Sequence, residues 1–400
     1  MSISRRKFIQ LSSLASASLM VPRFLKAFEH NPLSLPGGGK KSLVVIQLSG
    51  GNDGLNTVIP YYNDIYYKNR PVIGIKKADA IALTDEVGLN PALTGIKRLY
   101  DQGFVSIING VGYPEPNRSH FRSMDIWQSG STADQVVSTG WLGRYIDGCK
   151  DCTNNTMGLE IDDSLSLAMK GKDKSALAVR DINQFYNAAT DPYFVKLAKT
   201  HDDEHDAKLA NYLYQTLRET SSAAGYIYQQ SKIYNTTQVY PDTAIGKRMK
   251  TIGSLIVANT DTQVYYLSHG SFDTHVNQAD RQKKLFEELD AALTALVADL
   301  KQNNRFNDTL IMTFSEFGRR VGENASKGTD HGTANSMFMI GGGIKKGGLY
   351  NNIPNLADLD HGDVKYELDF KQVYATVLDR WLATDPRGVL DGKYEPLTFI

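Results

Sequence analysis

Residues 43–54 read Leu43-Val44-Val45-Ile46-Gln47-Leu48-Ser49-Gly50-Gly51-Asn52-Asp53-Gly54. A short run that is apolar or β-branched but for one glutamine passes directly into a glycine-rich turn carrying an acid. Absence of alternation marks a strand buried on both faces. Two further segments repeat the design: Gln263 to Leu267 (QVYYL) leads to Phe272-Asp273-Thr274-His275, and Leu310 to Phe314 (LIMTF) leads to Ser315-Glu316-Phe317-Gly318. Val105 to Asn109 (VSIIN) and Met337 to Ile340 read as additional strands. Between them lie helical patterns, above all Gln278 to Leu300, where Leu285, Leu289, Leu293, Leu296 and Leu300 recur at helical spacing. Ala92 to Tyr100, Phe121 to Gln128 and Phe370 to Leu382 are read as helices too, the last with Trp381 in its packed face. Alternating strand and helix predicts an α/β fold with a mostly parallel central sheet covered on both sides. Such sheets bind ligands outside the carboxyl ends of their strands, where these acids and imidazoles fall.

The candidate site follows from that edge. Asp53 lies in a turn whose glycines let backbone approach a ligand closely, or it caps the next helix. Asp273 and His275 share one side of an extended segment, because side chains alternate with period two. A carboxylate and an imidazole so placed suit one divalent ion of the Zn, Mn or Fe type. Glu316 follows an apolar strand, where an unpaired charge is costly unless it meets a cation or an arginine, and Arg319 and Arg320 are near in sequence. Asp330 and His331 sit in the glycine-rich loop Gly328 to Gly332 and can close the site. Asp360-His361-Gly362 repeats that triplet and is its rival, read as a surface loop. Ser119 and His120 precede a helix, so the Ser119 hydroxyl is either an N-cap or a nucleophile whose pKa a metal would lower, with Arg122 one turn on to clamp an anionic ester.

Composition narrows the partners. Lys plus Arg and Asp plus Glu are both 44, so the formal net charge is zero and gives no reason to expect nucleic acid. A small anionic ligand held by local charges fits better. At the N-terminus Ser4-Arg5-Arg6-Lys7-Phe8-Ile9 is a twin-arginine pattern, followed by an apolar stretch too short and serine-rich to span a bilayer. Residues 1–30 are thus read as a Tat signal peptide with cleavage near Ala27, the Tat translocase as a partner during export, and the mature chain as periplasmic or extracellular without a membrane span. Cys149-Lys150-Asp151-Cys152 is one C-x-x-C, read as a small-loop disulfide in an oxidising compartment. Residues 40–400 form the main domain, with an insertion or cap at about 153–242, where Tyr193 to Tyr234 suggests a pair of amphipathic helices.

These stretches together resemble the alkaline phosphatase and sulfatase superfamily and, within it, the Tat-exported family called domain of unknown function 1501. The resemblance rests on Gln47 to Thr57, Arg118-Ser119-His120-Phe121-Arg122, Gly140 to Arg144, Phe272 to His275, Phe314 to Arg319 and Asp330 to Thr333. It implies an alkaline phosphatase-like three-layer αβα fold with an inserted helical cap. It also implies Asp53, Asp273, His275, Glu316 and His331 around one or two divalent metals, Zn above Ca or Mn, and Ser119 as the nucleophile; Asp330 can make up the ligand count, and the residue reading adds His120 and Arg122 to catalysis. Where the superfamily usually places Asp-His, this chain has Glu316-Phe317, one imidazole fewer. The function implied is an exported metal-dependent hydrolase of phosphate or sulfate esters. The alternative is a catalytically inactive, metal-stabilised binding or assembly protein of the cell envelope, with redox chemistry at Cys149 and Cys152 as a third reading.

Overall fold

A computed structural model describes residues 40–149, 155–199 and 208–400. The signal-peptide reading at residues 1–30 and Cys152 of the C-x-x-C pair lie outside the described residues.

Nine strands build the main sheet. They are β1 (Ser42–Leu48), β2 (Val105–Gly112), β3 (Gly158–Glu160), β4 (Leu177–Ala178), β5 (Val264–His269), β6 (Thr309–Phe314), β7 (Asn335–Gly341), β8 (Gly348–Leu349) and β9 (Leu368–Asp369). Their spatial order is β8-β2-β7-β6-β1-β5-β3-β4, with β9 also paired to β2. The quoted stretch lies at the centre: Val45 is in register with Tyr266 of β5 on one side and Met312 of β6 on the other. Every pairing is parallel except those of β7, which runs antiparallel to both β2 and β6. The expected mostly parallel sheet is therefore observed.

The lack of apolar–polar alternation in β1 reflects two cores. Val44, Ile46 and Leu48 face one, with Ile96, Met249, Leu289, Leu293 and Leu296 from the helices Thr94–Asp101, Ala244–Val257 and Gln278–Gln302. Leu43 and Val45 face the other, with Ile126, Trp127, Trp141, Tyr374 and Trp381. Leu289, Leu293, Leu296 and Leu300 are all buried, each contributing on the order of 1.5–3 kcal/mol. Trp127 stacks between Phe314 of β6 and Phe370, at 5.5 and 4.3 Å between centroids, which pins the helix His120–Ser129 to the sheet. Its first turn is thereby fixed over the sheet edge.

Two features differ from the sequence reading. The stretch assigned to an insertion contributes β3 and β4 to the sheet itself before the helices Ile182–Ala189, Pro192–Lys199 and Lys208–Ser231. Strands of three and two residues are too short to show periodicity. The final helix is α-helical over Phe370–Thr376 and passes into a π-helical turn at Val377–Trp381. Among the described residues, no helix is long and apolar enough to cross a membrane.

Candidate metal centre

Five chain segments meet at one end of the sheet. β1, β2, β5 and β6 deliver their carboxyl ends there, and the reversed β7 delivers its start. Backbone geometry after β1 allows the close approach. Gly50 and Gly51 have φ of +118° and +78°. A Cβ on Gly50 would lie 2.3 Å from the Asp273 amide, and one on Gly51 would lie 2.3 Å from the Phe317 ring, so only glycine fits either position.

Four nitrogens converge on Oδ1 of Asp273. The Arg319 guanidinium lies at 2.7 Å, His275 Nε2 at 3.0 Å, His331 Nε2 at 3.3 Å and His120 Nε2 at 3.6 Å. His275 Nε2 and His331 Nε2 are themselves 3.0 Å apart. Burial pushes the Asp273 carboxyl up, but the Arg319 hydrogen bond and charge, with His331 and His275, outweigh it and hold the group down to about 2. The acid is ionised across the physiological range.

Each imidazole is oriented by a second partner. His120 Nδ1 lies 2.9 Å from Oε1 of Glu316, and this bond raises its pKa against the opposing effect of burial. Its Nε2 is buried and has no hydrogen-bond partner among the described residues. His331 Nδ1 is 2.9 Å from the Arg118 carbonyl, and burial lowers its pKa. His275 Nδ1 is 3.2 Å from Asp330, whose own pKa is lowered by the Asn324 side chain and by His275. Among the described residues, His120, Asp273 and His331 offer ligand atoms within 4.8 Å of one another. Around a tetrahedral zinc, with bonds of about 2.0–2.2 Å, ligand atoms lie roughly 3.5 Å apart, so a small contraction suffices. Imidazole nitrogen with one carboxylate is a donor set for zinc or a similar divalent ion. An orphaned, buried imidazole nitrogen aimed at an ionised carboxylate fits a cation between them.

Of the residues the sequence put forward for the site, the structure brings Asp273, His275, Asp330 and His331 side by side. Glu316 is fully buried and reaches the cluster through His120: Oε1 accepts the Gly50 amide at 2.8 Å and grips His120 Nδ1, so it orients that ring. Asp53 is a correction. Its carboxylate is buried and bound by Arg70 through both oxygens, at 2.6 and 3.0 Å, and it caps Leu55. Arg70 also holds the carbonyls of Val321 and Arg320, each at 2.9 Å, so the pair welds the first turn to the hairpin Arg319–Glu323/Thr329–His331. Arg122 is a second correction: its guanidinium donates to the carbonyls of Ala133 and Gln135 and is turned away from the cluster. Ser119 occupies the N-cap position of the His120 helix without a cap bond from its side chain, and it is exposed. His361 is 88% exposed, touching only Asp360 at 3.7 Å among ion pairs, whereas His331 is in the cluster.

Sequence reasoning assigned His120 to catalysis and missed its place among the nitrogens around Asp273. The signal was present, since an imidazole at the first turn of a helix leaving β2 sits at the same edge. Arg319 and Arg320 were the arginines near enough in sequence to pair with Glu316, the alternative to its binding a metal. Instead Arg319 lies fully buried beneath Asp273, donating to Gly51 O at 2.6 Å, Thr329 O at 2.9 Å and Phe272 O at 3.1 Å.

The chain is similar to several solved structures at low identity. One is Ps i-CgsB in complex with k-i-k-neocarrahexaose (11% identity, 88% of this chain and 75% of that one, TM-score 0.43). Another is the phosphonate monoester hydrolase SpPMH from Silicibacter pomeroyi (9%, 89% and 76%, TM-score 0.39). A third is an alkaline phosphatase superfamily protein from Vibrio parahaemolyticus (11%, 85% and 69%, TM-score 0.33). No curated protein matches the chain. Residues 108–392, which run from β2 past the last helix and include every residue of the imidazole cluster, match the family described as Protein of unknown function (DUF1501), and the chain belongs to that family.

Proposed function

We propose that this protein is an exported hydrolase of phosphate or sulfate esters that works with a single divalent metal, zinc by its donor set. The convergence of three imidazoles and Arg319 on Oδ1 of ionised Asp273 carries the reading. His120, Asp273 and His331 would hold the ion, with His275 beside them. A bound cation supplies Lewis-acid charge against the oxygens of the transferring group. Arg319 places a buried, fixed positive charge on the same Asp273 oxygen, which supports one ion rather than two. Ser119, exposed and with no cap bond to its side chain, is the proposed nucleophile, one residue from a metal-holding imidazole. With Arg122 turned away, Arg118 and Arg320 are the cations at the rim. Both bind the buried carboxylate of Asp363 and stay roughly half-exposed, which suits them to hold an anionic group. Export rests on the twin-arginine pattern at Ser4 to Ile9.

Metal content of purified protein with a screen of phosphate, phosphonate and sulfate esters tests the proposal. Ser119→Ala should abolish turnover while metal content stays at wild type and stability falls by at most about 1 kcal/mol. Full activity in a metal-loaded Ser119→Ala protein removes Ser119 from the mechanism. Stoichiometric metal with no turnover of any ester favours the binding or assembly alternative.

A further inference from the structure

Behind Phe317 lies a cavity of 350 Å³ with no role in the site as described. Its apolar walls are Tyr113, Pro116, Phe317, Ala334, Val364 and Tyr366. Phe317 is common to both places: its ring lies 4.8 Å from the ring of His120 and 4.7 Å from that of His331. Part of the remaining wall comes from segments that carry the cluster, and Asp360 to Tyr366 supply the rest. Asn117 lines the cavity and is followed by Arg118, whose carbonyl binds His331, and Thr333 lines it two residues after His331.

The Tyr113 and Thr333 hydroxyls in the wall are already satisfied. The Tyr113 hydroxyl bonds Ser123 at 2.9 Å and accepts the Asn117 amide at 3.0 Å, and the Thr333 hydroxyl donates to the Val364 carbonyl. An occupant therefore gains little from those two hydroxyls and much from placing apolar surface against the six apolar walls. Charge at the cavity argues against an anion. Glu115 and Asp360 line it against one cation, Lys365, which is tied to Asp358. The volume stands at the small end of ligand pockets, roughly 300–1,000 Å³, enough for one ring or a short branched chain.

We propose that this cavity binds a small, neutral, apolar ring, and that it receives the alcohol portion of the ester while the anionic portion lies at the imidazole cluster. The second half rests on the hydrolase reading; the first does not. A nucleotide or sugar phosphate, charged or heavily hydroxylated on its leaving side, would be a poor occupant, and an aryl ester a good one.

Phenol added to the full chain without any ester tests the cavity by ligand-observed NMR. Ala334→Leu narrows the cavity and should weaken binding at least tenfold. Tyr366→Ala, at a side chain already 39% exposed and so safe for folding, should weaken it at least threefold. If esters are turned over, kcat/KM for benzyl phosphate should exceed that for methyl phosphate, whose leaving alcohol is of similar basicity, by at least tenfold, and Tyr366→Ala should shrink that ratio. Absence of phenol binding to the wild type, or binding indifferent to both substitutions, overturns the proposal even if esters are hydrolysed. Binding that responds to both substitutions, in a protein that turns over no ester, upholds the cavity and overturns the hydrolase.

Discussion

His120 Nδ1 and the Gly50 amide share one oxygen of Glu316, at 2.9 and 2.8 Å. A single buried carboxylate thus fixes both the turn after β1 and the ring that offers its other nitrogen to the cluster. Glu316→Gln retains an acceptor for the amide but weakens the grip on the imidazole. Metal affinity should fall about 10- to 100-fold with little loss of thermal stability. Isothermal titration with zinc checks this, and unchanged affinity would show that Glu316 does not orient the ligand.

The two Asp-His-Gly triplets should separate cleanly. His331→Ala should lose metal and, because a bound ion stabilises only the folded state, lower the melting temperature of protein purified with its metal. His361→Ala alters an 88% exposed side chain and should stay within about 0.5 kcal/mol of wild type, with metal content intact. The reverse pattern in metal analysis would move the closing ligand to the other loop.

Asp53 and Arg70 form a buried ion pair, so removing one partner strands the other. Arg70→Met should destabilise the protein by about 3–5 kcal/mol, read from denaturant unfolding. Asp53→Asn should also destabilise, yet leave metal per folded molecule unchanged. Loss of metal from Asp53→Asn at full stability would restore Asp53 as a ligand.

Glu160, buried at the end of β3, has its carboxyl pushed up to about 8 by burial, from an ordinary value of 4.5. Between those values the folded chain keeps a proton that the unfolded chain releases. Its contribution to stability is present below about pH 4.5 and is lost as the pH rises toward 8. Glu160→Gln can still accept the Ser166 amide, which lies at 2.7 Å, and removes the titration. The variant should gain on the wild type between pH 5 and 8, by about 1 kcal/mol or more at the upper end. Parallel melting curves across that range would contradict the shift.

Much of this was legible in the chain because burial on both faces leaves a strong mark: β1, β5 and β6 declare themselves by runs without apolar–polar alternation, and their outgoing loops carry Asp273, His275 and Glu316. Direction was less legible. Nothing in Met337 to Ile340 says that β7 runs backward, yet that reversal brings His331 to the shared edge. Arginine partners were illegible for a physical reason. A guanidinium reaches across the fold, so Arg70 finds Asp53 at 17 positions and Arg319 finds Asp273 at 46, and sequence proximity reveals neither pair. His120 was read by its neighbour Ser119, when its register on the helix decided its use.

The reversal of β7 also determines which insertions the site can absorb. Asn335 at its start is tied to the carbonyls of Asn52 and Phe317, at 2.9 and 3.1 Å, so that end is clamped to the cluster while the far end of the strand points away. Residues added after Gly341 would enter the chain at the opposite rim of the sheet and leave His331 where it is. Residues added within the hairpin between Arg319 and His331 would slide the imidazole along the edge. Length should therefore drift among relatives after Gly341 and stay fixed between Arg319 and Asn335.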